Sequence, residues 1–333
     1  MIIVYPPTID FEWMVQRPQQ LMKEFAKLGH TVYYCQQHQV KGKRSELILP
    51  NLWLVWDIAL LPKPIDILWI GNPPLWNTVN NYQAKMVVYD CCDDFHEFWG
   101  KMEDSLTQRA DVVITTAQRL VERKSAEKPG KVFLVPNGVD VDVFKYEEIP
   151  IKMNRRLGYV GALADWVDWD LIKYCATHLT GWEIALIGPE FHKVPNEIKH
   201  HGNIKLYGLK PYKELPMWIR NLDVCTVPFK INKITRATNP IKMYEYLALG
   251  KPVVTTDMDE IRRYADVVSI AKTHEEFVQK VLEEAATNSP AKEKKRVERI
   301  QAETWASRAK NALDIINGIS IPSQNNSSIS PQK

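Results

Sequence analysis

The chain has 333 residues, 45% of them hydrophobic and 25% charged, with a formal net charge of +3. That length suits two cores rather than one, in the composition of a folded globular protein. No apolar run reaches the roughly 18 residues of a membrane span, the charge is too small to argue for nucleic acid, and an odd set of scattered cysteines (Cys35, Cys91, Cys92, Cys175, Cys225) argues for reduced thiols rather than a disulfide framework.

The N-terminus, MIIVYPPTIDFEW, lacks a basic region and a small-residue cleavage site, so no signal peptide is expected. Short apolar runs predict strands at 2–5, 31–35, 65–70, 86–90, 112–115 and 132–135, with helical periodicity at 18–28, 99–110 and 118–125. The pattern then restarts. Strands are expected at 156–160, 183–187, 204–207, 224–228, 253–255 and 267–270, and helices at 169–178, 213–221, 240–248 and 274–286. Such alternation predicts parallel sheets covered on both faces. Two series predict an α/β protein of two doubly wound, Rossmann-like domains, each with ligand positions at the C-terminal ends of its strands.

The charged stretch VFKYEEIPIKMN (143–154) divides a first domain, 1–148, from a second, 149–302. One helix is expected from about 291 to 317. The tail from 321 to 333 has no core-forming pattern and reads as disordered. Acidic residues are in slight excess before residue 150 and basic ones after it, which suits an anionic ligand on the second domain.

The stretch TRATNPIKMYEYLALGKPVV (235–254) holds an anomaly. With Asn239 as N-cap and Pro240 as the first helical residue, Lys242 falls in the first turn and Arg236 just before it. A helix N-terminus carries about half a positive charge, so a cation there costs on the order of 0.3–1 kcal/mol. A phosphate docked on the free amides would turn both cations into ligands. At about 100° per residue, Ile241, Met243, Tyr244, Leu247 and Ala248 form a buried face, with Lys242 and Glu245 on the other side. There Glu245 could hold a ribose. The same spacing equally fits an i,i+3 ion pair on a solvated face.

The run NPIKMYEYLALGKPVV, with DVCTVPF before it and PNGVDVDVF upstream, resembles retaining glycosyltransferases of family 4 (glycosyl transferases group 1), which have the GT-B fold. RPQQLMKEFAKLGHTVYY, VVYDCCDDF, RLGYVGALADWVDWDLI and YGLKPYKELPMWIRNLDV agree, so the likeness spans Arg17 to Val254. It is nearest to bacterial enzymes of teichuronic acid and surface polysaccharide synthesis. The resemblance implies transfer of a sugar, with retention, from a nucleotide sugar to a surface glycan or lipid-linked acceptor. It implies no cofactor and no metal, with UDP as the expected nucleotide. It also implies a cytoplasmic chain, with possible contact at the inner face of the cell membrane, and a terminal helix near 303–320 that completes the first domain.

The family signature pairs two glutamates; the second, on the donor ribose, matches Glu245, and the first falls on Ala237. The loop after the first strand of the second domain, GALADWVD, lacks the family's usual cations. Diphosphate contacts are therefore expected from Arg236, Lys242 and the amides of Gly161 and Ala162, with Asn239, Pro240 and Ile241 around them. Gly188, Tyr207, Gly208 and Lys210 are expected to frame the base. In the first domain Arg17, as N-cap of the first helix, is expected to bind acceptor or phosphate. Asp93, Asp94 and His96 are candidate acid–base or acceptor groups at a strand end. Trp13 and Trp166 are candidate sugar platforms. Asp140-Val-Asp142, Asp257-Met-Asp259 and His200-His201 are weak metal motifs and are set aside. The absent glutamate keeps an inactive GT-B scaffold open, and a third reading, a sugar-nucleotide epimerase, is one that Ala237 does not help.

Overall fold

In a computed structural model, residues 1–319 are described. The predicted tail lies outside them. The first sheet holds β1 (Ile2–Tyr5), β2 (Thr31–Cys35), β3 (Ser45–Leu49), β4 (Leu52–Val55), β5 (Ile65–Ile70), β6 (Ala84–Cys91), β7 (Val112–Thr115) and β8 (Val132–Leu134). Helices α1 (Arg17–Lys27), α2 (His96–Arg109) and α3 (Gln118–Glu127) belong to it. The second sheet holds β9 (Arg156–Val160), β10 (Glu183–Ile187), β11 (Ile204–Gly208), β12 (Val224–Val227), β13 (Val253–Thr256) and β14 (Ser269–Ala271). Around it lie α4 (Trp169–His178), α5 (Asn196–Lys199), α6 (Leu215–Arg220), α7 (Lys233–Arg236), α8 (Ile241–Ala248) and α9 (His274–Thr287), followed by α10 (Pro290–Ile300) and α11 (Trp305–Gly318).

The strand orders are β3-β4-β2-β1-β5-β6-β7-β8 and β11-β10-β9-β12-β13-β14. Each order reverses once, between β1 and β5 and between β9 and β12, and the crevices of doubly wound sheets open at such points. Pairing is parallel throughout except at one edge, where β3 runs antiparallel to β4. This hairpin was not among the expected strands. The run LILPNLWLV folds back on itself because Pro50 and Asn51 make the turn, with Asn51 at φ +67°.

The expected single terminal helix is two. α10 stops at Ile300, and α11 restarts at Trp305 behind Thr304, whose hydroxyl caps it by accepting from the Ser307 amide. The break lets the chain cross beneath Gly138. A β-carbon there would lie 2.9 Å from the Thr304 carbonyl carbon, so only glycine admits the crossing. Beyond it, Trp305, Ala309, Ala312, Leu313 and Ile316 are buried in the same core as Leu21, Phe25 and Trp69 of the first sheet and its helix. α11 packs directly on α1. Among the described residues, no helix is long and apolar enough to cross a membrane.

Candidate functional site

A cleft of about 1040 Å³ lies between the two sheets, lined by loops at the ends of β1, β6, β9, β10 and β12. The first-domain wall carries Trp13, Arg17, Asp93 and Asp94, with Phe98 and Trp99 beside them. The second-domain wall carries Gly161, Ala162, Trp166, Gly188 and Lys210. Asn137, Asn239, Pro240, Ile241 and Lys242 line it between them. Gly188 is needed for close approach: at φ +155°, an added β-carbon would fall 1.8 Å from the Gly161 carbonyl oxygen.

Helix α8 begins one residue later than expected. Pro240 occupies the N-cap position, no side chain caps it, and its first turn has no acidic residue. Asn239 is not free to cap. Its carboxamide oxygen accepts from the Asn137 amide at 2.9 Å, and its nitrogen donates to the Tyr244 hydroxyl at 3.1 Å. Lys242 therefore stands at the second helical position, in the cleft, at an end that carries partial positive charge. Glu245 is one turn on and is not on a solvated face: it is 1% exposed. Lys242 Nζ donates to its carboxylate at 2.6 Å. Burial raises the Glu245 pKa, with Lys242 opposing the shift. The carboxylate lies behind Lys242 rather than on the cleft wall.

Arg17 is the first residue of α1, not its cap; Gln16 caps the helix in a reciprocal box with Gln19. Arg17 is 2% exposed. Nε donates to both Asp90 oxygens at 2.9 Å, and Nη1 donates to the Pro136 carbonyl at 3.2 Å and to Asn137 Oδ1 at 3.3 Å. Asp90 is held in turn by the Trp69 indole at 3.0 Å. Burial works against the Arg17 charge, but Asp90 outweighs it and the pKa is raised.

Asp93 accepts from the Thr238 hydroxyl at 3.2 Å, a bond between domains. Burial nonetheless raises its pKa, with Thr238 opposing. Asp94 is turned toward Arg123, 3.2 Å away, without hydrogen-bond alignment at Oδ1. Arg123 is itself paired with the fully buried Glu103.

Besides Glu245, four expected residues stand apart from the cleft. Arg236 donates to Asp259 at 3.2 Å, so its guanidinium is drawn into a carboxylate pair. His96 is exposed at the start of α2, 3.7 Å from Asp104. Tyr207 donates to Glu183 at 2.8 Å, and Gly208 ends β11 outside the lining. Lys210 reaches the cleft with its ammonium over the Trp218 ring, 4.6 Å from the centroid. The two acidic motifs are spent on ion pairs, Asp140 with Lys23 and Asp257 with Arg262, and His201 Nδ1 lies 2.7 Å from Asn203 Oδ1. Among the described residues, no group of three or more His, Cys, Asp or Glu is placed to hold a metal.

Asn137, Thr235 and Thr238 line the cleft but were not singled out as site residues. Asn137 was legible only as part of a Pro-Asn-Gly turn, whose position after the last strand of the first sheet was the available clue. The exposed Phe98 was hidden by the helical periodicity around it.

Two facing doubly wound domains with one cleft between their switch points make the GT-B fold, and solved structures share it. Sucrose-phosphate synthase of Thermosynechococcus elongatus superposes with a TM-score of 0.75 at 12% identity, over 95% of this chain and 98% of that one. HepE of Anabaena, in complex with UDP and glucose, gives 0.68 at 11% identity over 96% and 99%. Residues 154–286 match the family described as Glycosyl transferases group 1. A Bacillus subtilis (strain 168) protein, TuaH, named for a glycosyltransferase role in teichuronic acid biosynthesis, is 28% identical over 221 residues. That match spans 57% of this chain and 55% of the relative, about half of each.

Proposed function

We propose that the protein is a retaining glycosyltransferase that moves a sugar from a nucleoside-diphosphate sugar, with UDP the favoured nucleotide, to a surface glycan or lipid-linked acceptor. One observation carries the reading: the uncapped N-terminus of α8, with Lys242 in its first turn, opens into the interdomain cleft. Free amides, the helix dipole and an ammonium together make an anion site that a diphosphate can use. The group 1 match on the second domain and the UDP bound to HepE support the choice of donor. The likeness to TuaH supports the class of acceptor.

In this reading the nucleotide rests on the second domain, its base among the loops of Gly188 and Lys210. The acceptor enters along Trp13, Asp93 and Trp166. The bond from the anomeric carbon to the diphosphate oxygen breaks, and the acceptor oxygen bonds to the same face of that carbon. The departing diphosphate takes the acceptor's proton. The main catalytic term is then electrostatic stabilisation of the leaving group at α8 and Lys242, and neither a protein nucleophile nor a metal is required.

The test is a calorimetric panel of UDP, GDP, ADP, CMP and dTDP with EDTA present, followed by turnover of the matching sugar donors. Binding of one nucleotide, with an α-linked product from an α-linked donor, is the expected result. No binding by any of them would favour the inactive scaffold, and an epimerised nucleotide sugar formed without acceptor would favour the epimerase.

A further inference from the structure

Among the described residues of the cleft, Arg17 carries a buried cationic donor that the fold leaves without a hydrogen-bond partner. Four polar contacts pin the guanidinium of Arg17: two to Asp90 through Nε, and those of Nη1 to Pro136 and Asn137. Nη2 is buried and has no hydrogen-bond partner among the described residues. A buried donor left unpaired costs on the order of 1–3 kcal/mol. Natural folds rarely leave such a group in place without a use for it. The residue lines the cleft, so a ligand oxygen can complete it.

The position of Arg17 narrows the ligand. Asn137, which accepts from Nη1, donates through its own carboxamide to the Asn239 carbonyl at 2.6 Å. Asn239 lies two residues before the first residue of α8. A single asparagine thus links the guanidinium of the first domain to the helix N-terminus of the second. The second domain alone is short of free cations in the cleft: Lys242 is engaged by Glu245 and Lys210 lies over Trp218. A doubly charged group at α8 therefore has an unused donor close by, on the opposite domain.

We infer that Arg17 is a diphosphate ligand contributed by the first domain, its Nη2 donating to an oxygen of the same diphosphate that sits on the α8 N-terminus and Lys242. This rests on the proposed donor site and deepens it. It narrows the sequence expectation for Arg17, acceptor or phosphate, to the diphosphate of the leaving group. The rigid pairing with Asp90 fixes the fork in advance, so that little ordering is needed on binding.

The test compares the wild type with Arg17→Lys, which keeps a cation for Asp90 but lacks the second fork arm. Affinities are measured for inorganic pyrophosphate, UDP and uridine. The expected result is at least a tenfold loss for pyrophosphate and UDP with uridine unchanged. Should Arg17→Lys fold poorly, the Arg17 Nε–H signal of the wild type is followed by NMR during pyrophosphate titration, and a shift is expected. Unchanged pyrophosphate affinity, or an unmoved Nε–H signal, overturns the inference. So does a variant that alters only the KM for acceptor. UDP binding that does not depend on Arg17 would overturn this inference alone. Pyrophosphate bound through Arg17 without binding of any nucleotide would uphold the anion site and sink the donor assignment.

Discussion

Lys242 and Glu245 form an ion pair in which the carboxylate is almost wholly inaccessible and the ammonium faces the cleft. Breaking such a pair from one side leaves a buried charge without compensation. Lys242→Ala is therefore expected to drive the Glu245 pKa further up and to weaken UDP far more than uridine. An equal loss for both ligands would return the pair to a purely structural role. Glu245→Gln keeps the volume but removes the charge that holds Lys242, so it is expected to weaken UDP more than uridine through the loosened ammonium rather than through a lost direct contact. Asp93 offers a test by pH. Its folded pKa is raised, so between the unfolded and folded values the native state holds the extra proton. Stability from this group falls as pH rises through that interval, and above the folded pKa the full cost is present. Asp93→Asn should raise the melting temperature at neutral pH and make no difference below the unfolded pKa. Its amide oxygen can still accept from Thr238. A gap that is the same at every pH would show that ionisation is not the cause.

At the scale of elements, most strands and helices were legible because their apolar period matches their burial. β9, β10 and α4 lie where the alternation put them. The misses share a cause. The period reports burial of one face, and three features turn on something else: the β3–β4 edge turn on Pro50-Asn51, the α10–α11 break on the space under Gly138, and the start of α8 on the diversion of Asn239 to Asn137. Val267 and Val268 are buried but precede β14, so apolarity there marked core rather than strand. The site was legible through Lys242 because a first-turn cation violates the dipole rule. Arg236 violates the same expectation, but Asp259, distant in sequence, claims it. A consequence follows for α11. Trp305 is 2% exposed and enters the first-domain core at the point where the chain returns to it. Trp305→Ala should cost about 3–5 kcal/mol, read as lost hydrogen-exchange protection in β1 and β5. Protection lost equally in β9 and β10 would mean that α11 stabilises both domains rather than the first.

Across the whole molecule the two domains meet through polar contacts that differ in kind. Away from the cleft, the Gln118 amide donates to Glu260 at 2.7 Å, and Arg119 pairs with Asp259 at 3.2 Å. At the cleft, Asp93 meets Thr238, and Asn137 meets Asn239 by two bonds. The cleft contacts join the two walls that would hold a donor, so a ligand there adds to them instead of competing. A diphosphate gripped by α8 alone would slow exchange only in the second domain. One gripped from both walls couples the domains, because a ligand specific for the native state stabilises whatever it ties together. UDP is therefore expected to slow amide exchange at the start of α1 and at Asn137 and Gly138 as well as in α8, while uridine protects the second domain only. Protection by UDP confined to the second domain would place the whole diphosphate there and leave the first domain to the acceptor.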